Sequence, residues 1–388
     1  MNIYKGRTKP EDREKLLAML DDVFFIDDEP ETKRNFLDLL PKLYKEEYDP
    51  CYNNFAVYED GDIKAAVGLY YDDAVAAGRK LKAAGIGNVA VTRDCRGKGY
   101  NMIDCLNRAI EDIKESGADY SVLGGHRQRY GYFGYEPAGL SYCFTIDKRN
   151  IGHLIGKDAA PKYTVRKVES TDTDILEKIN SLYETLPFHF IRETNRQYDI
   201  LSSWRSIPYA VFDGNEFKGY FAAQKSGGIQ EIRPVEMKDM YELIMLAMQT
   251  TGKESLSFPV AAYDVEMCEF MSQVFGGCST YHSEMISIMN YRNFTEAFLA
   301  VKAGRMPLCD GSVVMLIHGD KGDEKIELSV NGGNVKAEYT DKTPDIELDH
   351  REAIRLIAAQ YSARRSELPA FAQSWFPVDF HCYSQDNV

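Results

Sequence analysis

The sequence predicts a mixed α/β chain, α+β in overall class, made of two similar domains followed by a third of a different kind. Three observations predict it. The chain has 388 residues, a length that suggests two to three domains. From Met1 to about Asn290 it runs twice through one order of helical and strand-like segments. Its last part has short alternating runs between helical stretches, the pattern of an antiparallel sheet flanked by helices. The expected boundaries are 1–150, 151–290 and 291–388. Hydrophobic residues make up 44 % and charged residues 27 %, which supplies ample core and excludes disorder as the main state.

In the first segment, Lys9 to Val23 places Leu16, Leu17, Met19, Leu20 and Val23 at helical spacing, and Thr32 to Tyr44 does the same with Phe36, Leu37, Leu39, Leu40 and Leu43. A hairpin follows, Phe55–Glu59 and Ile63–Tyr71 around Asp60-Gly61, because Asp-Gly supplies the positive φ of a primed turn. Ile86–Thr92 predicts a strand that runs into Arg96-Gly97-Lys98-Gly99. Tyr100 to Glu115 then puts Met102, Ile103, Leu106, Ile110 and Ile113 on one helical face, before a buried strand at Tyr120–Leu123.

The second segment repeats that order. It reads as strand Tyr163–Val168, a helix capped around Ser170 to Asp172, a hairpin of Tyr209–Asp213 and Phe217–Gln224, strand Ile229–Arg233, helix Glu236–Met248 and strand Ser255–Val260. Where the first segment has its glycine turn, the second reads Arg233-Pro234-Val235-Glu236, so no phosphate cradle is expected there. The third segment reads as helix Thr295–Lys302, strands Val313–His318, Lys325–Val330 and Val335–Tyr339, and helix Arg351–Tyr361. It ends with Phe371, Trp375, Phe376, Phe380 and Tyr383, rings that predict a docked tail.

With 46 Lys+Arg against 60 Asp+Glu the net charge is −14. That balance argues against nucleic acid and favours cationic small molecules or basic peptides. Met1 to Lys15 is charged throughout, unlike a secretory leader, and the apolar run Leu243–Met248 is far short of a membrane span. The eight cysteines are scattered without a C-x-x-C or a neighbouring His pair, which predicts reduced thiols, no disulfide framework and no metal site. A cytoplasmic protein with no membrane partner is expected.

The stretch that carries chemistry is Asn88 to Asn101, a strand, a basic glycine turn and a helix start. Glycines let a backbone approach an anion, a helix N-terminus offers free N–H groups, and Arg96 and Lys98 add charge, so a diphosphate would sit well. A tight turn needing positive φ explains the two glycines equally. The spacing departs from both G-x-G-x-x-G and G-x-x-x-x-G-K-[ST].

Arg96-Gly97-Lys98-Gly99-Tyr100-Asn101 resembles the acetyl-CoA loop of the GCN5-related N-acetyltransferases (GNAT), [RQ]-x-x-G-x-[GA], with Asn101 in place of the usual Gly or Ala. A second block, Tyr130-Gly131-Tyr132-Phe133-Gly134-Tyr135-Glu136-Pro137-Ala138, resembles the Y-x-x-F-G-Y-x-P-A segment of the Eis-like (enhanced intracellular survival) members. That resemblance implies an active N-terminal GNAT domain, a degenerate second copy and a sterol-carrier-protein-like C-terminal domain. It implies acetyl-CoA as co-substrate, a homo-oligomer, in that family a hexamer, and an amine acceptor such as an aminoglycoside, a polyamine or a lysine side chain.

The resemblance also implies roles. Val89, Ala90 and Val91 with Arg96, Gly97, Lys98, Gly99, Tyr100 and Asn101 would hold acetyl-CoA, Tyr130 would be the general acid, and the carboxylate of Val388 the base. His126 and Glu136 are alternative bases, and packing is the plainer reading of the other aromatic residues. Phe24 and Phe25, flanked by Asp27 and Asp28, would form the acceptor pocket together with Asp386, since carboxylates and aromatic walls suit a cationic amine. Two other readings stand beside this one: a non-catalytic acyl-CoA or lipid-binding protein using the C-terminal domain, and an aminoacyl-transfer enzyme, which the charge disfavours.

Overall fold

A computed structural model describes residues 3–25, 27–28, 33–98, 102–156, 160–224 and 226–388, except the side chains of Ile3, Tyr4 and Leu154. Strands β1 (Ile3–Arg7), β2 (Asn54–Glu59), β3 (Asp62–Ala76), β4 (Arg79–Val91) and β5 (Tyr120–Leu123) lie side by side in that order. The β2–β3 turn is Asp60-Gly61, at φ 49° and 90°, and β3 and β4 close through Ala77-Gly78, at φ 48° and 77°. Both pairs take the left-handed angles that two-residue hairpins need. The sequence predicted only the near ends of β3 and β4. The polar residues Asp72, Asp73, Lys80 and Lys82 hide an alternation that buries Ala74, Ala76, Leu81 and Ala83.

Strand β1 was not foreseen. It pairs antiparallel with β2, from Ile3 opposite Glu59 to Arg7 opposite Phe55. The first helix runs over Arg13–Phe25. The helix expected over Thr32–Tyr44 is instead two short pieces, Phe36–Leu39 and Pro41–Tyr44, because Pro41 has no N–H to continue the first and favours the start of the second.

The remaining strands show how the two halves are joined. In chain order they are β6 (Glu136–Ala138), β7 (Ser141–Asp147), β8 (Thr164–Lys167), β9 (Phe188–Phe190), β10 (Ser206–Asp213), β11 (Glu216–Gln224), β12 (Ile229–Pro234), β13 (Ser255–Ala261), β14 (Gly277–Tyr281) and β15 (Glu284–Ile288). Strand β15 lies between β5 and β6 of the first sheet, antiparallel to both. Strand β7 lies between β13 and β14, beside the sheet β12-β11-β10-β8. Each half therefore lends one strand to the other. The short β9 adds a further tie by pairing with the end of β3, Ala74 opposite Phe190.

The last segment has antiparallel strands β16 (Gly311–Gly319), β17 (Gly322–Asn331) and β18 (Asn334–Tyr339), with β19 (Ile346–Asp349) parallel to β16. Helices Tyr291–Arg305 and His350–Ala358 accompany them. The fold is thus mixed α/β with several sheets. One core joins all three segments, with Tyr120, Phe188, Phe294, Phe298 and Phe380 linked by ring contacts. Trp375, Phe376, Phe380 and Tyr383 of the tail are buried in it.

Candidate active site

Strands β4 and β5 run parallel from Ala83 opposite Tyr120 to Ile86 opposite Leu123 and then part. Strand β5 gives way to Gly124-Gly125 while β4 continues to Val91. At the parting β4 has a bulge: its register against β3 shifts, and Asn88 adopts φ 40°. Three neighbours fix that bulge. The Asn88 amide donates to Asn54 Oδ1 at 2.8 Å, and its Oδ1 accepts the Tyr44 hydroxyl at 2.8 Å. The same oxygen stands 2.0 Å from where a Cβ on Gly68 would be, so only glycine is tolerated there.

A cavity of about 530 Å³ opens at the parting. Its walls are β4 from Ile86 to Val89, the turn Gly124 to Tyr130, the rings of Phe24, Phe25 and Phe36, and Trp204 from the second half. Asn387 and Val388 reach into it from below. Val388 lies flat on β4: a Cβ on Gly85 would stand 2.6 Å from its Cγ2, and one on Gly87 3.2 Å from its carbonyl carbon. The buried Tyr130 ends the short helix Arg127–Tyr130 and lines the same cavity. Its ring rests on Gly125, where a Cβ would come within 2.2 Å of Cε2.

The end of the chain is held from several directions. Lys42 Nζ donates to the carbonyls of Gln385 and Asn387, each at 2.6 Å, and burial pushes its ammonium down to about 8. Trp204 Nε1 donates to Ser384 O at 2.6 Å, and Gln385 Nε2 to Leu201 O at 2.7 Å. The Asn387 amide donates to Glu284 Oε1 at 2.5 Å.

Several residues expected at the acceptor pocket are occupied otherwise. Asp386 is 3 % exposed and paired through both oxygens with Arg192, at 2.7 and 2.8 Å, with the Tyr183 hydroxyl donating as well. It anchors the tail and offers no charge to a ligand. Asp28 is gripped by Arg34 through two bonds of 2.8 Å, which holds its carboxyl down at about 2. Asp27 pairs with Arg93 at 2.7 Å on the surface. Phe24 and Phe25 do line the cavity, and the Arg34 guanidinium lies 4.8 Å over the Phe25 ring. Of the alternative bases, Glu136 is buried under Arg127 and Arg355, each at 2.7 Å, and serves to tie the first sheet to helix His350–Ala358. His126 is exposed at the cavity rim.

In the basic turn, Arg96, Gly97 and Lys98 are exposed ahead of helix Met102–Glu115. Gly97 has φ 74° with open space around its missing Cβ, so backbone conformation is what requires glycine there. Val89 and Val91 are half-buried and Ala90 is buried. Gly99, Tyr100 and Asn101 lie outside the described residues. In the second half the corresponding gap, between β12 and β13, is closed to about 20 Å³. Tyr383 and the Arg233–Asp264 pair, 2.6 Å apart, line what is left.

Sequence reading missed Lys42, Trp204 and Glu284. Lys42 had a signal of a kind, a lone cation inside the apolar run Leu39-Leu40-Pro41-Lys42-Leu43. Trp204 and Glu284 had none, because they come from the second half, and only tertiary structure brings Trp204 to the cavity and Glu284 to Asn387.

Residues 6–138 match the family model described as Acetyltransferase (GNAT) domain. Fold, cleft and domain together define an acyltransferase of the class that moves an acyl group from an acyl-CoA to an amine. The whole chain is similar in fold to a GCN5-related N-acetyltransferase from Kribbella flavida, at 15 % identity and TM-score 0.69, covering 100 % of this chain and 98 % of that one. A GCN5-related N-acetyltransferase from Anabaena variabilis is similar at 16 % identity and TM-score 0.68, covering 100 % of both chains. Eis1 from Mycobacterium abscessus is similar at 15 % identity and TM-score 0.58, over 90 % of this chain and 88 % of that one. No curated protein matches the sequence. Among the described residues no helix is long and apolar enough to cross a membrane.

Proposed function

We propose that the chain is an Eis-like N-acetyltransferase that carries an acetyl group from acetyl-CoA directly to a primary amine of a cationic acceptor. The observation that carries this reading is that Tyr130 and the main chain of Val388 line one cavity, at the point where β4 and β5 part. In the proposed reaction the thioester arm enters along Val89 to Val91, and the diphosphate meets the turn that begins at Arg96. The Val388 carboxylate takes a proton from the acceptor ammonium, whose solution value is about 10.4 for a lysine-like group. The freed amine attacks the thioester carbonyl, the C–S bond breaks, the departing sulfur takes the phenolic proton of Tyr130, and the second proton that the nitrogen sheds in becoming an amide returns to the Tyr130 phenolate. Phe24, Phe36 and Trp204 offer an aromatic wall to the cation, while Arg34 lies over the Phe25 ring. Asp27, Asp28 and Asp386 are left out of that recognition, because each is paired with an arginine.

Three further assignments belong to this reading: domains at 1–150, 151–290 and 291–388 with a sterol-carrier-like end, a cytoplasmic setting, and assembly into a homo-oligomer. The test is release of CoA thiol from acetyl-CoA over a panel of polyamines, aminoglycosides and lysine peptides, with a no-amine control for the protein's own thiols. A chain extended by one glycine beyond Val388 is expected to lose about a hundredfold or more in kcat, and Tyr130→Phe a similar amount, with acetyl-CoA binding kept. Parental turnover in both variants overturns the mechanism, and no acetylation of any amine overturns the function.

A further inference from the structure

We propose that Glu284, brought into the first sheet by the exchanged strand β15, is the positioning residue for the end of the chain, so that the first half's site is complete only with a side chain of the second. The inference rests on the reading of the Val388 carboxylate as base. In the ladder, Met285 stands opposite Leu123, the last residue of β5, which sets Glu284 beside Gly124 at the mouth of the gap. Its Oε2 is 3.9 Å from where a Cβ on Gly124 would be. Its Oε1 accepts the Asn387 amide at 2.5 Å, while Asn387 Oδ1 accepts the Val388 N–H at 3.0 Å and Asn387 O accepts Lys42 Nζ at 2.6 Å. The main chain of Asn387 is thus held by Lys42 and Ser384, and Glu284 holds its side-chain amide from outside the tail. The rotation of that amide determines whether Oδ1 meets the Val388 N–H, and with it where the terminal carboxylate points.

Among the described residues no cation pairs with Glu284, and burial pushes its carboxyl up to about 8. Near neutrality the group is a neutral acid whose carbonyl oxygen accepts from Asn387, which keeps a second negative charge away from Val388. Glutamine reproduces that acceptor and alanine does not.

The test uses the full chain with acetyl-CoA and spermidine or tobramycin, whichever the amine panel shows to be acetylated faster. Glu284→Ala is expected to lower kcat about tenfold or more through misplacement of the terminus, with the KM for acetyl-CoA within about twofold of the parent. Glu284→Gln is expected to restore kcat to within about threefold. Asn387→Ala removes the same bond from the tail side and is expected to match Glu284→Ala, with little added loss in the double variant. A parental kcat in Glu284→Ala or Asn387→Ala overturns the proposal, as does Glu284→Gln falling as far as alanine. If Glu284→Ala does not fold, Asn387→Ala and Glu284→Gln decide it alone. The glycine-extended chain separates the two readings. Full activity of that chain overturns Val388 as base, whereas its inactivity beside a parental Glu284→Ala overturns only the role of Glu284.

Discussion

Gly85 and Gly87 lack side chains at the two places where β4 carries Val388 on its face. Closest approach is at Gly85, where an added methyl would stand 2.6 Å from Val388 Cγ2. Gly85→Ala is therefore expected to push the terminus off the strand and lower kcat about tenfold or more, leaving the melting temperature nearly unchanged. Steady-state kinetics beside a thermal melt checks this, and unchanged kcat would mean that Val388 need not lie there. Glu284 gives a pH prediction. Its carboxyl is raised from 4.5 to about 8 by burial, so between those values the folded chain keeps a proton that the unfolded chain has lost. Stability from this group therefore falls as pH rises from about 4.5 through about 8. Glu284→Gln should remove that slope, so its melting temperature relative to the parent should climb between pH 5 and pH 8. At this scale the sequence pointed to Tyr130, which lines the cavity, and to the turn Arg96-Gly97-Lys98, which lies exposed after β4. It was illegible where a carboxylate's partner decides its role: Asp28 and Asp386 look like pocket charges until Arg34 and Arg192 are seen to hold them.

The segment Ser203–Arg205 is where an element is bent to serve the cavity. Trp204 and Arg205 follow one another at φ 59° and 58°, a left-handed pair that costs about 1–2 kcal/mol per residue without glycine. Two bonds offset that cost, from Trp204 Nε1 to Ser384 O at 2.6 Å and from Gln224 Nε2 to Trp204 O at 3.1 Å. The exposed Arg205 adds strain without facing the cavity. Arg205→Gly is expected to relieve it and stabilise the fold by about 1 kcal/mol, read as a small rise in melting temperature with kcat kept. A lower melting temperature would show that the arginine side chain matters more than its backbone angle. Among the strands that sequence reading found, β2, β10, β11, β13 and the middle of β17 declare themselves by alternation next to a turn signal. Those it missed, β1, β6, β7, β9, β14, β15 and β19, are at most seven residues long, and most acquire their partners from distant parts of the chain.

Across the molecule, the likeness in element order between the two halves was readable, but the exchange between them was not, since a strand's sequence does not say which sheet it will join. Its consequence is that neither half can close alone. A chain ending at residue 150 would keep β7 with no partner and leave β5 and β6 without the strand that lies between them. Edges of that kind expose unpaired N–H and C=O groups and invite aggregation. It would also lack Phe188, Phe294, Phe298 and Phe380, which share a core with Tyr120. Residues 1–150 expressed alone are therefore expected to be insoluble or unfolded, despite containing the basic turn and Tyr130. Co-expression with residues 151–388 should recover a soluble pair, because the exchanged strands and the docked tail supply the missing contacts in trans. Circular dichroism and size-exclusion chromatography of the fragment, then thiol-release assays of the pair, check both parts. A folded, active 1–150 fragment would show that the second half and the tail are dispensable, and with them Glu284, Trp204 and Val388.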